Sequence, residues 1–279
     1  MDSSEKNFLT EKCRQIRYDV IDSIGTLGVG HLGGSLSVIE ILTVIYFRHM
    51  RIEPQNPKKE GRDRFVLSKA HAGPALYAVL ADKGFFERDL LYTLNQPDTC
   101  LPSHADMNLT PGIDMTTGSL GQGLSCAVGI AIGAKVRKDG AMIYAVIGDG
   151  ESHEGHIWEA AMLAGHRKLD NLIVFCDYNK MCIDGEIEHI CGIEPLADKW
   201  RAFGWSVFEC DGHDVEAIDD AIVRAKAVNG MPNMIILHTH KGKGVSFIEA
   251  NWKDNHNVVI TREQHMLALA ELEKKQCGK

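Results

Sequence analysis

Two short stretches set oxygen ligands after apolar runs. Gly148-Asp149-Gly150-Glu151 follows Met142–Ile147, and Asp177-Tyr178-Asn179-Lys180 follows Leu172–Cys176. Asp149 and Asn179 lie 30 residues apart, about one strand–helix–strand unit. If the two runs are parallel strands, a right-handed crossover brings both residues to one edge of the sheet. A carboxylate and an amide oxygen, with a main-chain carbonyl nearby and phosphate oxygens, suit Mg²⁺ or Ca²⁺ rather than a thiophilic metal. The glycines around Asp149 admit a phosphate to the backbone, and a helix starting near Glu154 would aim its first amides at it. The same residues also read as an Asp-Gly turn and an Asn loop cap.

A second glycine cluster, Gly118-Ser-Leu-Gly-Gln-Gly123, opens a helix. It is neither G-x-G-x-x-G nor a Walker A loop, so it fits close helix packing as well as a ligand on the backbone. Gly30-His31, Ala70-His71 and Ser103-His104 place imidazoles among small neighbours that leave them reachable. Each alone reads more readily as a surface or capping histidine. His153-Glu-Gly-His156 has its histidines at i and i+3, with a glycine between. That spacing excludes the H-E-x-x-H zinc site.

The elements that must carry these residues alternate. Helices are expected over 5–25, from a cap at Ser37 through Phe47, and over Pro74–Lys83, Gly123–Lys138, Glu154–Arg167, Leu196–Phe203, Asp214–Val228 and Thr261–Lys275, the last amphipathic. Strands are expected over Asp63–Leu67, Met142–Ile147, Leu172–Cys176, Ser206–Glu209 and Asn233–His238, with Asn95–Asp114 as loop. Short apolar strands alternating with helices predict an α/β fold, a parallel sheet flanked by helices. The whole of 1–279 is expected to be one domain. A net charge of −8 with no basic stripe argues against nucleic-acid binding. The uncharged run Met115–Ala134 holds five glycines and several hydroxyl residues, so it reads as buried in a soluble protein and not as a membrane span. The eight cysteines form no C-x-x-C, most sit in apolar stretches where a free buried thiol is expected, and a reducing cytoplasm follows.

In their order these pieces resemble the thiamine-diphosphate enzymes of the transketolase family. Gly148-Asp-Gly-Glu-Ser-His-Glu-Gly155, followed by Asn171-Leu-Ile-Val-Phe-Cys-Asp-Tyr-Asn179, is similar to that cofactor's signature. Gly30-His31-Leu-Gly-Gly-Ser, Asp63-Arg-Phe-Val-Leu-Ser-Lys-Ala-His71, Thr116-Thr-Gly-Ser-Leu-Gly-Gln-Gly123, Asn179-Lys-Met-Cys-Ile-Asp-Gly185 and Lys241-Gly-Lys-Gly-Val-Ser246 extend the resemblance over residues about 30–246. The chain looks like the N-terminal, diphosphate-binding half of such an enzyme, encoded as a separate subunit.

The resemblance implies roles. Asp149 and Asn179 would hold Mg²⁺ (Ca²⁺ or Mn²⁺ in its place) through side-chain oxygens, and Met181 through its carbonyl. Gly150 and His71 would contact the diphosphate, Gly118 and Leu120 the aminopyrimidine, and Ile183 the thiazolium. Glu154 matches a glutamate linking two cofactor sites. His31, His71 and His104 match the histidines around the reacting sugar, and a neutral-pH proton shuttle suits imidazole. His256 stands near another family histidine and completes the candidate cofactor contacts. It is followed by Asn257 where the family has glycine, and Ser119 replaces a proline. These departures predict an acceptor side unlike that of ordinary transketolase. The resemblance also implies a partner chain carrying the pyrimidine-binding domain, an α₂β₂ assembly, and sugar or sugar-phosphate substrates. The α subunit of a 2-oxo-acid dehydrogenase shares the cofactor signature, and a non-catalytic cofactor-binding subunit is the reading from another class.

Overall fold

A computed structural model describes residues 1–251 and 255–277. Helix α1 (Ser3–Leu27) opens on a reciprocal cap, in which Asp2 accepts from the Glu5 amide and Glu5 accepts from the Asp2 amide. Strand β1 (Val29–Gly30) leads into α2 (Leu32–Leu36) and α3 (Ile39–Val44), which runs on into a π-helical turn, Ile45–His49. Then come β2 (Arg64–Leu67), α4 (Gly73–Lys83), α5 (Gln122–Arg137), β3 (Ile143–Gly148) and α6 (Gly155–His166). Strand β4 (Leu172–Tyr178) is followed by a hairpin of β5 (Met181–Cys182) and β6 (Gly185–Glu186), then α7 (Ile187–Cys191) and α8 (Leu196–Ala202). The chain continues through β7 (Ser206–Asp211), α9 (Val215–Lys226), β8 (Asn233–His238), α10 (Ser246–Ala250), β9 (Val258–Val259) and α11 (Arg262–Cys277).

The main sheet has the order β2-β3-β4-β8-β7, and every pair is parallel. Its central strands are buried on both faces, which is why they read as apolar runs. Along β3, Tyr144 and Val146 face the core under α1, α3, α4 and α9, while Ile143, Ala145 and Ile147 face the core under α5, α6 and α8. In the β3–β4 register Gly148 lies opposite Asp177, so the loops carrying Asp149 and Asn179 leave neighbouring strands at the same edge. A separate antiparallel pair joins β1 to β9, setting Val29 against Val259 and Gly30 against Val258. It brings the 256 region beside His31.

Three expectations are corrected. Ser37 does not cap a helix start. It ends α2, and its hydroxyl donates to Gly34 O at 3.2 Å and to Asp177 Oδ2 at 2.7 Å. A run that is apolar on every side carries no period to mark the break between α2 and α3. The last helix is not cleanly amphipathic, because Met266 and Leu267 are exposed while Ala268 and Leu272 are buried. Most cysteines are not buried: of the seven free thiols among the described residues only Cys13 and Cys176 are. No helix among the described residues is long and apolar enough to cross a membrane.

Candidate active site

The site begins at the carboxyl ends of β3 and β4, where ligands of open parallel sheets collect. Asp149 is 1% exposed. Its Oδ1 accepts from the Gly150 amide at 2.8 Å, and its Oδ2 accepts from the Lys180 amide. Asn179 Nδ2 donates to Asp177 Oδ2 at 3.0 Å, and Asn179 Oδ1 accepts from the Met181 amide at 3.1 Å. Burial and then the neighbouring Asp177 push the Asp149 carboxyl up to about 7. A buried carboxylate held against a second one leaves a deficit of positive charge, which a divalent cation would meet. A side chain on Gly150 would reach within 2.8 Å of Cys182 Cβ, so its absence lets the β5 strand close over the loop. The donor set (one carboxylate, one amide oxygen, one carbonyl) fits Mg²⁺ or Ca²⁺ with phosphate oxygens completing its shell. Among the described residues no group of three or more His, Cys, Asp and Glu could by itself hold a metal.

Four histidines converge on this edge from distant segments. His31 precedes α2, His71 lies in a short 3₁₀ turn after β2, His104 is in the 95–114 loop, and His256 follows Asn255 before β9. Ring centroids are 5.7 Å apart for His31–His71 and for His31–His104, 5.2 Å for His31–His256 and 4.8 Å for His71–His256. Burial, then Lys69, His256, His31 and Lys241, lower the His71 pKa well below its ordinary value. Burial, then Lys241, His31 and Lys69, lower His256 to about 3, and burial with His104 and Lys241 lowers His31. These three rings are therefore neutral at pH 7, free to accept a proton or donate N–H hydrogen bonds.

A cavity of about 380 Å³ joins the pieces. Its walls include Asp149, Gly150, Asn179, Met181, His31, His71, His104 and His256, together with Gly118, Leu120, Glu154 and Ile183. Ile183 is 61% exposed and Glu154 also faces outward, so both stand at the rim. A larger opening of about 700 Å³ lies along the 178–194 segment and shares Asn179, Met181 and Lys241 with the first.

Four charged residues to which the sequence alone assigns no role also line the edge or anchor it. Lys69 Nζ pairs with Asp177 in full burial and donates to Gly34 O at 3.1 Å. Asp177 accepts further bonds from Ser37, Thr239 and Asn179. Lys241 lies 3.5 Å from His256 Nδ1, and burial followed by Lys69 lowers its pKa to about 8. Glu151 is buried beneath the Asp149 turn. Lys69 and Lys241 sit inside the motif segments, but only their burial at the sheet edge singles them out.

A parallel α/β sheet with an oxygen-ligand pair and converging neutral histidines at its carboxyl edge defines a cofactor-dependent enzyme of the diphosphate-binding class. The family model described as "Transketolase, thiamine diphosphate binding domain" matches residues 9–270. The chain belongs to this transketolase N-terminal family, which settles the sequence-based choice against a 2-oxo-acid dehydrogenase subunit. It is 56% identical to the 6-deoxy-6-sulfo-D-fructose transketolase subunit of Clostridium sp. (strain MSTE9), covering 98% of each chain. It is 41% identical to an apulose-4-phosphate transketolase subunit from Phocaeicola vulgatus, covering 94% of this chain and 95% of that one. Transketolase from Campylobacter jejuni superposes with a TM-score of 0.89 at 32% identity. That superposition covers 96% of this chain and 43% of the solved one. The chain thus spans less than half of the full-length transketolase it matches in structure, and nearly the full length of the two subunits.

Proposed function

We propose that residues 1–279 form one diphosphate-binding domain, the N-terminal subunit of a two-chain transketolase in the cytoplasm. The assembled enzyme transfers a two-carbon ketol unit from a ketose donor to an aldose acceptor. The observation that carries this reading is the single cavity shared by the Asp149–Asn179 pair and the four histidines. Thiamine diphosphate, when bound, supplies the carbanion-stabilising chemistry. The chain's own residues anchor and shuttle protons. Asp149, Asn179 and the Met181 carbonyl hold Mg²⁺. Gly150, Lys69 and Lys241 face the diphosphate, and Gly118, Leu120 and Ile183 the rings. His31, His71 and His104 bind sugar hydroxyls, take up the proton from the donor's reacting hydroxyl and return one to the product. His256 shares their cluster and extends the contacts toward substrate, while Glu154 at the rim reaches a second copy of the site.

A partner chain carrying the pyrimidine-binding domain completes the site in an α₂β₂ assembly. The Clostridium relative is named for a sulfonated ketose, so 6-deoxy-6-sulfo-D-fructose is the first donor to test. The test is to co-purify the chain with its partner and titrate thiamine diphosphate with and without Mg²⁺. Binding should require the metal and be lost in Asp149→Ala, and ketol transfer should require both chains. Cofactor binding that survives both Mg²⁺ removal and Asp149→Ala would refute the metal assignment. No binding to the wild-type complex would refute the functional reading.

A further inference from the structure

Glu151 is a second buried acid beside Asp149, and unlike Asp177 it takes its hydrogen bonds from neutral donors. It is 3% exposed. Its Oε1 accepts from the Gly121 amide at 2.8 Å and from the Ser68 hydroxyl, and its Oε2 accepts from the Gly148 amide at 3.0 Å. The three donors belong to three separate parts of the site. Gly121 ends the loop that carries Gly118 and Leu120. Gly148 ends β3 just before Asp149. Ser68 follows β2, two residues before the turn that holds His71. The same junction is closely packed: a side chain on Gly123 would meet Ser68 Oγ at 2.5 Å and Ser68 Cα at 2.6 Å. The carboxylate therefore fills a gap between two main-chain N–H groups that no backbone carbonyl occupies.

We propose that Glu151 is a positioning residue whose two oxygens lock the aminopyrimidine-side loop at Gly121 to the metal-bearing loop at Gly148. It fixes the distance across which the cofactor must stretch. This inference rests on the functional reading above and extends it to a residue with no assigned role. Glutamine at this position isolates the claim, because a carboxylate only accepts whereas an amide has one accepting and one donating end. If the amide oxygen stays on Gly121, the NH₂ confronts the Gly148 N–H. If it turns to Gly148, the NH₂ confronts the Gly121 N–H. Either way one loop is released, at nearly unchanged volume.

The test uses the co-purified two-chain complex. Glu151→Gln should weaken binding of thiamine diphosphate with Mg²⁺ on the order of 10–100-fold, as supporting residues around metal sites do. Turnover at saturating cofactor should fall by less than the affinity does. In the cofactor-free protein, amide exchange should rise in the peptide spanning Gly121 or in the one spanning Gly148, and elsewhere stay unchanged. Affinity within about twofold of wild type, a margin far below the loss of one bond to a charged acceptor, would overturn the proposal. If the variant fails to assemble, wild-type exchange decides: fast exchange at Gly121 or Gly148 overturns the proposal, and slow exchange at both supports it. A wild-type complex that binds no cofactor would refute the functional reading, and the exchange data would still judge the lock.

Discussion

Asp177 gathers more of the buried polar contacts at the sheet edge than any residue picked out from the sequence. Burial alone would raise its pKa, but Lys69, Thr239 and Ser37 together hold it below the ordinary value. Asp177→Asn keeps the shape and removes the charge, leaving the Lys69 ammonium buried without its counter-ion. Breaking one side of such a pair costs about 3–5 kcal/mol, so the urea midpoint of the folded chain should fall sharply. An unchanged midpoint would show that the Lys69–Asp177 pair adds no net stability. The place of Asp149 and Asn179 at one sheet edge was legible because each follows an apolar run and stands beside small or polar loop residues. Asp177 and Lys69 were not, because nothing local distinguishes a buried ion pair whose members are 108 residues apart. The histidines lay between these cases. Their small neighbours hinted at access, but only the resemblance placed them in one site.

At the scale of elements, the strands were readable because burial on both faces writes an apolar run between turn residues. The sheet's strands extend their expected ends by only a residue or two, at β3, β4 and β7, and the helices with a polar face begin and end near where caps and glycines put them. The packing between elements leaves almost no trace in such patterns. Gly165 shows this: within α6 it reads as a weak helix former, yet an added Cβ there would lie 1.8 Å from the Phe203 carbonyl oxygen. The glycine is what lets α6 approach the end of α8. Gly165→Ala should therefore destabilise the chain by about 1–3 kcal/mol or more, the usual range for overpacking, although alanine is the better helix former. Thermal unfolding checks the sign, and a rise in Tm would mean that the two helices can move apart freely.

For the whole molecule, the fold class followed from the alternation of strands and helices, while the location of the site required the topology. Its titration behaviour also belongs to this scale. Burial lowers His49 to about 4, ahead of Lys226, and His256 is lowered to about 3, with His71 and His31 shifted the same way. An unfolded histidine takes up its proton near about pH 6.5, so below that pH the unfolded state binds more protons and stability falls. Asp149, raised to about 7, and Glu151, raised by burial, work in the opposite sense, since the folded form takes up the proton first. The four histidines outweigh these two carboxyls. The Tm of the cofactor-free chain should therefore drop steadily from about pH 7 to about pH 5, within the window set by the unfolded histidines. A Tm that rises over this interval would contradict these assignments.

The β1–β9 pairing, which ties residues 29–30 to 258–259, has a consequence for how the protein is made. Every strand pair in the main sheet is parallel and needs a long crossover, so the contact order is high and closure is slow. A ribosome delivers His31 about 200 residues before Lys241 and His256. Throughout synthesis the nascent chain holds an edge with its histidine cluster incomplete and apolar strands waiting for partners, a state exposed to aggregation. The cofactor pocket thus forms only after residues 241–259 have emerged, too late for thiamine diphosphate to template the early steps of folding.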